Sequence, residues 1–111
     1  TGNAEAMSSL GFLYVNGKGV IQDFTEAAKW FRKAAELGNA EAMNSLGFMY
    51  ANGKGVIEDD VEAYAWFNVA AASGSTKAAE ARKLIGQTMT PEQIAEGKKR
   101  SREIMKNISK K

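Results

Sequence analysis

The stretch that decides the fold is GNAEAMSSLGFLYVNGKGVIQDFTEAAKWFRKAAEL, residues 2–37, because residues 38–73 repeat it as GNAEAMNSLGFMYANGKGVIEDDVEAYAWFNVAAAS. About two-thirds of the paired positions are identical. Repeats of this length are supersecondary units that bury their apolar faces only when neighbouring units stack. The sequence therefore predicts a stack of repeats with an extended surface, which favours binding over catalysis.

Composition narrows the classes of protein that this chain can belong to. With 44% hydrophobic and 25% charged residues it suits a folded domain, and its apolar runs are far shorter than the ~20 residues that span a membrane. The net charge of +2 is too small to indicate a nucleic-acid partner. Cysteine is absent, which excludes disulfides and thiolate metal sites and leaves the compartment open. Because the chain enters the repeat directly after Thr1, without a signal-peptide pattern, we expect a fragment of a longer protein.

Each repeat predicts two helices, A and B, joined by the glycine-rich turn NGKGVIQD or NGKGVIED. Asp23 and Asp59 stand where N-caps would begin helix B. Glycine inside a helix costs about 1 kcal/mol relative to alanine, so we infer that helix B crosses helix A closely at Gly11 and Gly47. The apolar stripe of helix A and its copy consists of Met7, Leu10, Gly11, Tyr14, Met43, Leu46, Gly47 and Tyr50.

The third unit departs from the repeat and predicts the end of the stack. It has Arg82 and Lys83 where the earlier units have Leu-Gly, and it lacks the NGKG turn. TPEQ, residues 90–93, is a strong helix start, and the helix that follows has an apolar stripe and a basic remainder suited to a terminal cap. We predict an all-α fold, an α-solenoid of antiparallel helix pairs with about six helices. Its predicted units are residues 1–37, 38–73 and 74–111.

These residues resemble the Sel-one-like repeat (SLR) family, relatives of the tetratricopeptide repeat, in its bacterial form. The pattern is Ala-x-x-x-Leu-Gly-x-x-Tyr, then Gly-x-Gly-Val, then Asp, then Ala-x-x-Trp-Phe-x-x-Ala-Ala; it runs from Ala6 to Ala35 and again from Ala42 to Ala71. The resemblance implies a right-handed superhelix whose helices A line a concave face, used as a scaffold or adaptor that binds other proteins. It also favours the bacterial periplasm or secretion.

The same resemblance implies an alternative function. Some cysteine-rich bacterial members are associated with penicillin binding and hydrolysis, which makes a cell-wall-related or β-lactam-binding hydrolase the alternative. Their disulfide-linked pattern is missing here. The chain has neither His nor Cys for a Ser-His or Cys-His pair, and the acidic run around Asp59 lacks the spacing of a calcium loop. We therefore predict no catalytic activity, no cofactor and no metal site.

Candidate binding residues follow the packing glycines on helix A. Phe12 and Phe48 lie about 200° around the helix from the leucine of the stripe, so we expect them to project away from the seam between helices A and B. On the concave face they would anchor a peptide or helix of a partner protein. The alternative is that each Phe packs only against the next helix A. The predicted partner-binding residues are Phe12, Asn16, Asn44, Phe48 and Asn52.

Other conspicuous residues are better explained by folding. Trp30 and Trp66 suit packing between repeats, and the NGKG loops lack the G-x-x-x-x-G-K-[ST] pattern of a phosphate site. The basic C-terminal tail, which runs to Lys110 and Lys111, has no aromatic residue to stack on a base, which favours a solvated helix face. Self-association through the exposed face of the N-terminal repeat is a second possible interaction.

Overall fold

Six α-helices follow one another along residues 2–109, the part of the chain that the computed structural model describes. Within these residues there is no β-strand, and the molecule measures 42 × 28 × 21 Å. Lys110 and Lys111 of the predicted basic tail lie outside the described residues. The helices are α1 (Gly2–Asn16), α2 (Phe24–Glu36), α3 (Ala40–Asn52), α4 (Asp60–Ala72), α5 (Thr76–Gly86) and α6 (Pro91–Ser109).

The order of packing follows the order of the chain. From α1 to α5, each helix packs against the next, so that α1 and α3 are helices A, α2 and α4 are helices B, and α5 takes the place of a third helix A. The last helix, α6, packs against α4. This arrangement confirms the predicted all-α solenoid of six helices.

The two seams between helices A and B are closed by an aromatic ring that fills the space above a glycine. A Cβ atom added to Gly11 would lie 2.6 Å from Cε1 of Phe31, and one added to Gly47 would lie 2.5 Å from Cε1 of Phe67. Both Phe side chains are buried. The close crossing expected from the sequence therefore occurs at these two glycines, and the ring contact compensates for the poor helix propensity of glycine.

The predicted helix starts are confirmed by their hydrogen bonds. Asp23 and Asp59 accept from the backbone N–H three residues further on, at 3.1 and 3.0 Å. At α6 the exchange is reciprocal: the Gln93 N–H donates to Thr90 Oγ1 at 3.1 Å, and the Thr90 N–H donates to Gln93 Oε1 at 2.9 Å. These bonds satisfy backbone donors that the first helical turn leaves free.

The turn of the second repeat also joins the two repeats. Gly55 has a φ of +75°, and a Cβ atom there would lie 2.2 Å from the carbonyl oxygen of Phe24, so a side chain would collide with the start of α2. The neighbouring ammonium of Lys54 lies 4.9 Å from the centroid of the Phe24 ring. The glycine-rich turn thus allows the end of α3 to close against the preceding repeat.

A polar side chain on α4 connects the last two helices to the stack. Asn68 donates through Nδ2 to Ser101 Oγ of α6 at 2.9 Å and accepts at Oδ1 from Nη1 of Arg82 of α5 at 2.6 Å. Arg100 of α6 donates to both carboxylate oxygens of Glu62, at 2.9 and 3.2 Å. Hydrogen bonding to Glu62 raises the pKa of Arg100. The hydrogen bond between Arg82 and Asn68 explains why Arg82 stands where the second repeat has Leu46.

The apolar residues of helix A are more deeply buried in the second repeat than in the first. Leu46 is fully buried, whereas Leu10 at the same repeat position is 36% exposed; Met49 is buried, whereas Leu13 is exposed. The difference arises because α3 has α2 on its other side, while α1 has no such neighbour among the described helices.

Candidate binding groove on the helix A side

The side chains of Phe12 and Phe48 are partly exposed to solvent and partly packed against helix B. They are 36% and 46% exposed, and each meets the Phe of its own helix B edge to face: ring centroids are 5.0 Å apart for Phe12 and Phe31, and 5.1 Å for Phe48 and Phe67. The expectation that both rings project away from the seam is therefore wrong in part, because each ring contacts the Phe of helix B. The physical reason is that the helix B ring, reaching across a glycine without a Cβ atom, extends to the next position on helix A.

The first pocket of the groove lies between α1 and α3. It has a volume of about 180 Å³, and its surface is almost entirely apolar. Phe12 and Phe48 are both in its wall, so the structure brings these two predicted residues together. The lining residues are Phe12, Val15, Phe24, Phe31, Ser45, Phe48, Met49 and Lys54.

The second pocket lies between α3 and α5. It is larger, about 610 Å³, and it combines an apolar floor with a charged rim. Phe48 and Asn52 of the predicted site belong to it. The lining residues are Phe48, Ala51, Asn52, Glu58, Asp60, Phe67, Lys77, Glu80, Ala81, Leu84, Ile85 and Thr88.

The two pockets are the same structural feature, one repeat apart. Every lining residue of the first pocket except Lys54 has its counterpart, 36 positions later, in the wall of the second. Phe48 belongs to both pockets, as the downstream wall of one and the upstream wall of the other. The counterparts in the second pocket include smaller side chains, for example Ala51 for Val15 and Asp60 for Phe24. Together the two pockets form what we call the helix-A groove.

The three predicted asparagines do not form one cluster in this groove. Asn52 lines the second pocket, and its Nδ2 donates to the carbonyl of Phe48 at 2.9 Å. Asn16 is exposed at the end of α1, and Asn44 is half-buried; neither lines either pocket. Oδ1 of Asn44 is buried and has no hydrogen-bond partner among the described residues. Of the three asparagines, only Asn52 therefore shares a pocket wall with a Phe ring of the predicted site.

Sequence reasoning missed the far wall of the groove, which α5 supplies. Leu84 is 66% exposed and stands 72 residues after Phe12 and 36 after Phe48, at the same place in the repeat. It was overlooked because the third unit has Arg82 and Lys83 in place of Leu-Gly, which hid the remaining similarity. A second shift of 36 residues along the sequence would have found it.

The charged rim of the second pocket is uneven. Glu58, Asp60 and Glu80 bring three carboxylates, whereas Lys77 brings one ammonium. Within residues 2–109 none of these four side chains makes a salt bridge. The acidic run around Asp59 is thereby divided: Asp59 caps α4, and its two neighbours, Glu58 and Asp60, line the groove.

The repeated seam, the capped helices and the turn that joins the repeats together define the unit from which this solenoid is built. A family model of the Sel1 repeat matches residues 4–39 and 40–75. The chain belongs to the Sel1 repeat family. Proteins of this family are typically noncatalytic repeat scaffolds that mediate protein–protein interactions. The bacterial SLR resemblance inferred from the sequence is thus confirmed.

Solved structures that are similar to this Sel1 repeat chain include two bacterial proteins. One is a protective antigen present in uropathogenic Escherichia coli strains, which displays an SLR fold: its TM-score is 0.91, with 34% sequence identity over 95% of this chain and 23% of that chain. The other is a Sel1 repeat protein from Oxalobacter formigenes: its TM-score is 0.72, with 45% identity over 74% of this chain and 24% of that chain. The chain thus spans about a quarter of the length of either protein. No curated protein matches it.

Along the described part of the chain, no three acidic side chains are grouped so that they could hold a metal ion. None of the helices between residues 2 and 109 is long and apolar enough to cross a membrane. The helix-A groove instead offers aromatic and aliphatic surface with a polar rim, which is the usual anatomy of a site that binds another protein.

Proposed function

We propose that this chain is a noncatalytic scaffold that binds a peptide or helix of a partner protein in the helix-A groove, on the concave face of the solenoid. The supporting observation is the repetition of the pocket: the same wall positions recur one repeat later, with Phe48 shared between the two pockets. A continuous partner segment could therefore place one apolar side chain in each pocket. Phe12 and Phe48 are its proposed anchors, because an exposed rigid ring loses little conformational entropy on binding.

The test compares wild type with the double variant Phe12→Ala, Phe48→Ala in crosslinked pull-downs from the source organism's lysate, read by mass spectrometry. The matched control is Ile21→Ala, Ile57→Ala, which also truncates two apolar side chains at equivalent repeat positions. These isoleucines are 89% and 90% exposed and line neither pocket. We expect a partner that wild type and the control both capture and that the Phe variant loses. Circular dichroism and thermal unfolding would first establish that all three proteins are folded.

Equal capture by the folded Phe variant would place the binding surface elsewhere.

The hydrolase alternative is tested separately, since it requires turnover of a chromogenic β-lactam above a heat-denatured control. The groove residues do not favour it: the carboxylates at the rim have no His or Cys to act with, because the chain contains neither.

We propose self-association as a second interaction, through the open side of α1. Its support is the contrast between the repeats, since Leu10 and Leu13 expose apolar surface that the second repeat buries at the same positions. A second copy could cover that surface as α2 covers α3. Sedimentation velocity over a range of concentrations tests this proposal.

A further inference from the structure

The two pockets of the helix-A groove differ in charge although they correspond in position. The only charged residue in the wall of the first pocket is Lys54, whose ammonium lies over the Phe24 ring. The second pocket has three carboxylates and one ammonium. Part of the contrast comes from two substitutions between the repeats, Phe24 to Asp60 and Gln22 to Glu58. The groove is therefore positive at one end and negative at the other, in a chain whose net charge is +2.

The carboxylates of the second pocket are available to a ligand. Glu58 and Glu80 are exposed, Asp60 is half-buried in the first turn of α4, and none of the three forms a salt bridge with another described residue. The apolar side chains beside them are also accessible, because Phe48 and Leu84 keep roughly half or more of their surface in solvent. Cationic groups with apolar neighbours would satisfy both parts of this pocket, whereas an acidic segment would be repelled.

We propose that the groove selects a partner segment with two bulky apolar side chains, one for each pocket, and with Lys or Arg next to the side chain that enters the second pocket. This inference rests on the proposed function, since it concerns the same groove. It adds the chemical class of the partner and the direction in which the partner segment lies. The basic end of that segment lies between α3 and α5, and its uncharged end lies between α1 and α3. The aliphatic stems of Lys or Arg can cover Leu84 while their charged groups reach the carboxylates.

The experiment uses fluorescent synthetic peptides with two leucine anchors, in matched versions whose flanking residues are Lys, Gln or Glu. Affinity is measured by fluorescence anisotropy at low salt and at about 0.5 M salt. We expect the Lys-flanked peptide to bind about tenfold more tightly than the Glu-flanked peptide at low salt, on the scale of three exposed ion pairs. The preference should shrink at high salt, because ions screen exposed charges.

Two triple variants test which carboxylates are responsible. Glu58→Gln, Asp60→Asn, Glu80→Gln should abolish the preference for Lys-flanked peptides. The control is Glu26→Gln, Glu92→Gln, Glu96→Gln, which removes the same number of negative charges from exposed or half-exposed positions on α2 and α6 and should leave the preference intact. Lys77→Gln should increase the preference.

The outcomes separate this inference from the proposed function. If wild type binds Lys- and Glu-flanked peptides equally strongly, and the Phe12→Ala, Phe48→Ala variant binds neither, the groove is supported and the charge selection is overturned. A Lys preference that survives the rim triple variant would also overturn it, because the charges would then act elsewhere. Binding unaffected by the Phe variant, or no binding by any peptide at millimolar concentration, would count against both proposals.

Discussion

Replacing Gly47 by alanine is the sharpest test of how the helices are held together. Two effects of opposite sign compete. Alanine favours the helix by about 1 kcal/mol over glycine. The new Cβ atom would lie 2.5 Å from Cε1 and 2.7 Å from Cδ1 of Phe67, whereas ordinary contacts begin at 3.4 Å. That overlap of roughly 0.9 Å involves a buried ring, so the ring or α4 must shift, and overpacking of this kind costs about 1–3 kcal/mol.

Because the overlap is large and the Phe67 ring is buried and packed against Phe48, we take the upper part of that range and expect a net loss of about 1–2 kcal/mol. The control is Gly86→Ala, at the end of α5, where the nearest atom to the new Cβ, Tyr64 Cε2, lies at an ordinary 3.7 Å. That variant should be unchanged or more stable by up to about 1 kcal/mol. Urea denaturation followed by circular dichroism measures both.

Gly47→Ala is therefore expected to destabilise the protein, whereas Gly86→Ala is not. If Gly47→Ala proved as stable as Gly86→Ala, close approach at the glycine would not be what determines the A–B seam. A changed dependence on urea concentration would indicate that the denatured or native state had changed as well, so the slope must be compared before the free energies are.

Two further predictions concern the leucines of helix A. Leu46→Ala should destabilise the protein by about 2–5 kcal/mol, and Leu10→Ala by less than half as much, because only Leu46 is fully buried; equal losses in urea denaturation would contradict this. If the protein self-associates through α1, the mass from sedimentation velocity should rise with concentration for wild type and stay at the monomer value for Leu10→Lys, Leu13→Lys. A wild-type mass that stays at the monomer value at every concentration would exclude self-association.

Most of the fold could be predicted because the same pattern of residues occurs twice in the sequence. The helix starts at Asp23 and Asp59 and the crossings at Gly11 and Gly47 depend on local chemistry that a pattern reveals. What could not be predicted depends on partners distant in the chain. The docking of α6 on α4 is an example, since nothing near Asn68 shows that Ser101 will meet it.

Some of the residues that line the helix-A groove could be predicted for the same reason. Phe12 and Phe48 could be identified by their place after the packing glycine, and Leu84 could have been found from the same periodicity. The edge contacts with helix B could not be inferred, because they depend on how far the buried rings extend across the seam. Burial of Asn44 likewise depends on the tertiary packing around α3 rather than on its spacing from Phe48.

Differences between the two repeats separate what folds the chain from what distinguishes its surfaces. The seam glycines and the rings that cover them are identical in both repeats. Several substitutions fall where the two repeats have different neighbours: Tyr64 and Asn68 replace Ala28 and Arg32 on the helix that meets α6. Others fall in the groove, where Asp60 replaces Phe24 and Glu58 replaces Gln22 without changing the seam. The seam is thus the same in both repeats while the groove differs in size and charge, and these are the properties by which a partner would distinguish the two pockets.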